Sequence, residues 1–371
     1  MKSLFKNHKV IICTGSGGVG KTTVSASLGV LAAQKGYKVL VLTIDPAKRL
    51  KTTLGIGDDQ DDVLVPDQNF KGKLFAGLVD EKKVFRDFLR NASDNDAIVE
   101  RVLNNRLYKQ LSTTLSGSQE FTSIIRLFEA VKSNKYDIVI LDTPPAQHAI
   151  DFLTAPEKIY TLFQGPITKW FISEEEVNRN IFLKVVNKST GIVLAVFRKI
   201  TGSMFMDELS DFFLGLKTIQ GRISEKTKSA GDMLHAQDTA FLLVTSFDQA
   251  KIQEAEEYYM DLKKGHYNLQ GVVVNRAFPK WFKSQQEQKV WPDLSEESFQ
   301  KLHAKMTHYY KTQAAVYDQF KNNYGQKIQI LKVAEFDEDI SGLDELKTFS
   351  ETLMFEVDDK AFEDENITDL T

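Results

Sequence analysis

Eight residues near the amino end, Gly15-Ser16-Gly17-Gly18-Val19-Gly20-Lys21-Thr22, fit the pattern G-x-x-x-x-G-K-[ST]. Each residue type has a physical use there. Glycines let the backbone turn tightly and aim successive N–H groups at one anion. Lys21 can reach the outer phosphates of a nucleoside triphosphate, and the Thr22 hydroxyl can ligate Mg²⁺. Gly17, Gly18, Val19, Gly20, Lys21, Thr22 and Thr23 are therefore the candidate phosphate-binding residues. The pattern carries weight only between a strand and a helix, where the helix N-terminus adds partial positive charge. Lys9–Cys13 is a short apolar run suited to a buried strand. Thr22–Gln34 then carries Val24, Leu28, Leu31 and Ala32 at helical spacing, which predicts an amphipathic helix closed by Gly36.

Three further residues follow apolar strand-like runs. Asp142 ends Ile138-Val139-Ile140-Leu141 and can hold Mg²⁺ through water; a helix N-cap aspartate is the plainer alternative. Asp45 ends Val39–Ile44 ahead of Pro46 and can accept a proton from an attacking water, although its position alone does not decide that. Asn275 ends Val272-Val273-Val274 and can read adenine with its carboxamide, or simply serve a turn. A guanine-reading N-K-x-D is absent, because Asn187-Lys188-Ser189-Thr190 lacks the acid. ATP is thus the expected nucleotide.

The elements that would position these residues alternate. Lys38–Ile44, Leu74–Val79, Asp137–Leu141, Ala240–Thr245, Gly271–Val274 and Ile328–Val333 read as further buried strands. Ile124–Val131, Ala250–Leu262 and Leu343–Leu353 carry helical patterns between or after them. That alternation predicts an α/β protein with a doubly wound, mostly parallel sheet. From about 152 to 236 no convincing strand occurs, yet apolar residues abound, which predicts a helical insertion. A second, more polar helical segment is expected over 282–323. The expected domains are 1–151 with 237–354 around the phosphate loop, 152–236 as the insertion, and 355–371 as an acidic, disordered tail.

Composition excludes several classes. The 371 residues hold 42% hydrophobic and 26% charged side chains, the balance of an ordinary globular protein. The single cysteine, Cys13, rules out an intrachain disulfide and a cysteine-based zinc or iron–sulfur site within one chain. The six histidines stand at no ligand spacing. Net charge is −4, and 355–371 alone carries seven acids against Lys360, so bulk charge gives no case for nucleic-acid binding. The most apolar stretch, Gly191–Phe197, is far short of the roughly 20 residues that span a bilayer. The lysine-bearing N-terminus does not have a signal peptide's form, so a cytoplasmic protein is expected.

Five segments together resemble the ArsA family of ATPases: TGSGGVGKTT (14–23), TIDPAKRL (43–50), LDTPPAQHAIDFL (141–153), VVVNRAF (272–278) and DISGLDEL (339–346). That family takes in an arsenite-pump ATPase and an ATPase that targets tail-anchored membrane proteins, and sits with partition and septum-site ATPases in the deviant Walker A group. The resemblance runs over about 8–354. It implies phosphate and Mg²⁺ roles for Lys21 and Thr22, a water-orienting role for Asp45, and a Walker B role for Asp142. It places Gly117 and Glu120 in a first switch segment, His148 in a second, and Asn275 at the adenine. The insertion would correspond to a subdomain that forms a client groove in the targeting ATPase, although apolar helical stripes of this kind more often form a closed core.

The departures from the family are as informative. The signature lysine should follow Gly15, and Ser16 stands there; Lys48 and Arg49 are candidates to substitute for it. The metal-binding cysteine pair is missing, which excludes a zinc-clasped dimer but not dimerisation through the nucleotide face. A lone cysteine also argues against an arsenite-stimulated pump. The resulting expectation is an ATP- and Mg²⁺-dependent switch, slow in turnover, homodimeric, with a hydrophobic helical client or a membrane-protein partner, no nucleic acid and no stable membrane insertion. A nucleotide-sensing module with little hydrolysis and a partition-type ATPase are the alternatives.

Overall fold

In the computed structural model the described residues are 2–44, 54, 62–66, 69–93, 95–105, 118–143, 152–164, 221–277, 296–336, 340 and 342–353. Eight strands form one sheet: β1 (Val10–Thr14), β2 (Lys38–Thr43), β3 (Val63–Leu64), β4 (Lys73–Leu78), β5 (Ile138–Asp142), β6 (Thr239–Ser246), β7 (Leu269–Ala277) and β8 (Gln329–Ala334). Their order is β3-β4-β2-β5-β1-β6-β7-β8. All neighbours are parallel except β3 with β4, an antiparallel two-residue edge. Each expected strand is present, its ends differing by up to three residues, most at β7, expected over Gly271–Val274 and found over Leu269–Ala277. β3 is an addition, too short to show any period in the sequence.

Alternate residues explain why the central strands read as unbroken apolar runs. Ile11, Cys13, Val39, Val41, Ile138, Ile140, Leu242 and Val244 enter the core that holds the helix Lys21–Gln34. Val10, Ile12, Leu40, Leu42, Val139, Leu141 and Leu243 are buried as fully on the other face. A sheet covered on both sides needs no polar alternation. Each such side chain contributes about 1.5–3 kcal/mol on burial.

The helix Lys21–Gln34 differs from its expected form. It is not amphipathic: every residue from Val24 to Ala33 is buried. The sheet lies on one side and the helix Leu343–Thr352, with Leu346, Phe349 and the following Leu353, completes the same core on the other. No face is left for solvent, so no polar stripe is required.

The chain divides into two compact units. The first takes in Met1–Val79, Glu129–Ile150 and Leu234–Thr371 and contains the whole sheet. The helices Gln249–Lys264 and Glu296–Tyr324 belong to it; the former packs on β6 and the latter on the former. The expected segment 282–323 is helical from Glu296 onward, and 278–295 lies outside the described residues. The second unit takes in Asp80–Phe128 and Asp151–Met233. Its described parts are helical: Glu81–Arg90, capped by Asp80, Asp96–Asn104, most of Ser118–Lys132, Ala155–Gln164, and 221–233. Phe121 meets both Phe85 and Phe88 edge to face within it. The middle of the expected insertion, 165–220, and the expected acidic tail lie outside the described residues. Among the described residues no helix is long and apolar enough to cross a membrane.

Candidate nucleotide site

β1 lies between β5 and β6, where the winding of the sheet reverses direction. Ligands of open α/β sheets bind outside the carboxyl ends of the strands at such a point. The glycine loop leaves β1 there and runs into the helix Lys21–Gln34. Gly15 has φ +147°, and a Cβ on it would run into the Val244 carbonyl oxygen of β6, so only glycine fits. Gly20 is the N-cap in the left-handed region at φ +90°, and no side chain caps the helix. The amides of its first turn are thereby left to an anion, with no acid in that turn to repel it. Lys21 is buried, and its Nζ donates to the carbonyls of Gly15 (2.9 Å) and Ser16 (2.7 Å). Its charge is held against the loop by those bonds.

Asp142 ends β5, one strand away. The register pairs Cys13 with Asp142, which sets the carboxylate beside the root of the loop. Its Oδ2 accepts from Thr22 Oγ1 at 2.7 Å and from Thr43 Oγ1, at the end of β2, at 2.9 Å. Thr143 donates to the Cys13 carbonyl through both its N–H and its Oγ1 (2.9 Å), tying β5 to β1 where the loop departs. Cys13 is fully buried. Burial raises its thiol pKa to about 12; the Asp142 charge adds to the rise, while the Lys21 charge opposes it.

Asn275 is buried at the end of β7, and its Nδ2 donates to the Val19 carbonyl at 3.0 Å. Only the NH₂ of a carboxamide can face a carbonyl oxygen, which fixes the orientation of the group. Ser16 is buried beside the carboxylate of Glu254, which Lys251 grips at 2.9 Å. Burial pushes the Glu254 carboxyl up, but Lys251 and Ser16 together outweigh it and hold the group below the usual carboxylate range.

The fold therefore brings Gly17–Thr23, Asp142 and Asn275 together at one end of the sheet. Glu120 stands in the first turn of the helix Ser118–Lys132, within the second unit. Asp45, Lys48, Arg49, Gly117 and His148 lie outside the described residues. Sequence reasoning missed Thr43, Thr143 and Glu254. Thr43 left a trace, a hydroxyl ending the apolar run Val39–Leu42; the other two left none.

A glycine loop with a buried lysine, joining the central parallel strand to an uncapped helix and flanked by a strand-end aspartate, defines a phosphate-loop nucleotide-binding α/β protein. The sequence pattern of the anion-transporting ATPases (ArsA ATPase) matches residues 8–355. Similar proteins include a candidate arsenical pump-driving ATPase of Aquifex aeolicus, 23% identical, with 93% of this chain and 78% of that protein covered. An ATPase ASNA1 homolog of Babesia bovis is 23% identical over 94% of this chain and 91% of its own length. The ATPase get3 of Pyrenophora tritici-repentis is 25% identical over 94% and 92%. The chain belongs to the ArsA family of ATPases.

Proposed function

We propose that this protein is a Mg-ATP-hydrolysing conformational switch. The observation that carries the reading is the set of groups at the carboxyl end of β1: an amide-lined loop, the Lys21 ammonium on the loop carbonyls, and Thr22 against Asp142. Lys21 exchanges its carbonyl partners for the β- and γ-phosphate oxygens, and the amides of Gly17–Thr23 grip the same tail. Thr22 and Asp142 offer an oxygen-only donor pair in contact, which suits a hard divalent cation. Bound Mg²⁺ supplies neutralisation of the developing charge on the phosphates. Thr43 holds the Asp142 carboxylate in place for it. Asp45 orients the attacking water, and Asn275 lies toward the base.

Turnover is slow, because Ser16 stands where the family's deviant Walker A loop carries a lysine, unless Lys48 or Arg49 replaces that charge. The segments after Asp45, Gly117 and Asp142 draw in around the γ-phosphate and release on hydrolysis. One nucleotide site per chain favours a homodimer, working in the cytoplasm. The apolar insertion receives a hydrophobic helical client, with the membrane-protein targeting members of the family as the precedent. A lone buried thiol cannot bind arsenite through several thiolates, so the role is not that of an arsenite pump. Ser16 in place of the family's lysine also supports a second reading, a nucleotide sensor that scarcely hydrolyses.

The test is calorimetric titration with Mg-ATP and Mg-ADP beside phosphate release, on the wild type, Lys21→Ala and Asp45→Asn. Lys21→Ala should lose binding or hydrolysis; Asp45→Asn should bind and hydrolyse slowly. Binding heat from neither nucleotide in the wild type would defeat the proposal, and full binding without phosphate release would select the sensor.

A further inference from the structure

We infer that Asn275 is a positioning residue that clamps the phosphate loop, holding it in its anion-gripping shape before any base arrives. The inference rests on the nucleotide reading above and assigns the residue a task apart from contact with adenine.

The carboxamide bond to the Val19 carbonyl joins residues 256 positions apart, from the residue that follows the apolar run of β7 to the middle of the loop. Val19 and Asn275 are both buried, so water does not compete for the bond. In a trans peptide the C=O and the next N–H point in opposite directions. Fixing the Val19 carbonyl on Asn275 therefore turns the Gly20 N–H away from β7. The same contact explains Gly20, at φ +90°: a Cβ there would occupy the place of Asn275 Nδ2.

β7 is shaped to deliver this side chain. Its pairing with β8 is regular up to Val274↔Lys332, breaks, and resumes at Ala277↔Ala334. Toward β6 the strand stays paired, Ser246 with Asn275, and the Asn275 carbonyl accepts the Phe247 N–H at 3.0 Å. The irregularity is absorbed by Arg276, exposed and left-handed at φ +52°. A non-glycine residue is held in that region only against a steric penalty. Bulges of this kind re-aim a side chain, and here the re-aimed residue is the one that meets the loop. Asn275 is thus anchored on β6 and freed from β8, a rigid post rather than a turn residue.

The experiment compares wild type, Asn275→Ala and Asn275→Ser as full chains. Amide hydrogen exchange of peptides spanning Gly15–Thr23 is followed without nucleotide, and calorimetry uses inorganic tripolyphosphate with Mg²⁺ and Mg-ATP in turn. Exchange in β2 and β5 peptides at wild-type rates shows that the sheet is intact. The clamp predicts loop exchange about fivefold to tenfold faster in both variants, the worth of one hydrogen bond. It also predicts tripolyphosphate binding weaker by a similar factor, although that ligand has no base. Wild-type loop exchange and tripolyphosphate affinity, with only ATP binding weakened, would overturn the clamp and leave a base contact. A wild type that binds neither ligand would defeat the nucleotide reading, while the exchange rates would still decide the clamp.

Discussion

Gly20→Ala perturbs the site at one atom, and its cost can be worked from two separate sources. The residue sits at φ +90°, where a side chain meets its own backbone at a cost of about 1–2 kcal/mol. The new Cβ also displaces Asn275 Nδ2 and breaks its bond to Val19, about 1 kcal/mol more for a buried pair. The sum is about 2–3 kcal/mol. In a unit of this size each kcal/mol moves the thermal midpoint by about 2–4 °C, so a fall of about 4–12 °C is expected. In an Asn275→Ala background the displaced group is already gone, and Gly20→Ala should cost only the backbone share. A double-mutant cycle by calorimetric unfolding should therefore return a coupling of about 1 kcal/mol. Additive effects, with Gly20→Ala equally costly in both backgrounds, would refute the assigned contact.

Thr43→Val removes a hydroxyl that donates to the Asp142 carboxylate while keeping the side chain's shape; a loss of about 1.5–3 kcal/mol is expected, read as a lower thermal midpoint. Lys21→Ala should abolish the calorimetric signal of Mg-ATP, as set out for the nucleotide reading. Cys13 should resist a thiol-modifying reagent at pH 8 in the native protein and react at once in denaturant, since burial keeps the thiol protonated. The sign of its pH dependence follows from linkage: the folded thiol holds its proton up to about 12 while the unfolded one loses it near 9.0. This residue therefore favours unfolding progressively as pH rises from 9.0 toward 12, and Cys13→Ser or Cys13→Ala should flatten that part of the stability profile.

The phosphate loop, its helix and seven of the eight described strands are legible in the chain alone, because each of these rests on sequence neighbours. A sheet buried on both faces writes its strands as apolar runs, and a loop that must follow φ beyond glycine's competitors writes its glycines. β3 escaped because two residues carry no period. The all-round burial of Lys21–Gln34 escaped because its second cover, Leu343–Thr352, arrives more than 300 residues later. The sequence offers Lys21, Thr22, Asp142 and Asn275 one by one; that Thr43 steadies Asp142 and that Asn275 meets Val19 follows from strand order and register. β1 lies between β5 and β6, and β7 beside β6, so loop, aspartate and asparagine converge at the carboxyl end of the sheet. Those contacts link residues 99 and 256 positions apart. Local propensity cannot encode such distances; only the closing of the sheet brings the groups within hydrogen-bonding reach.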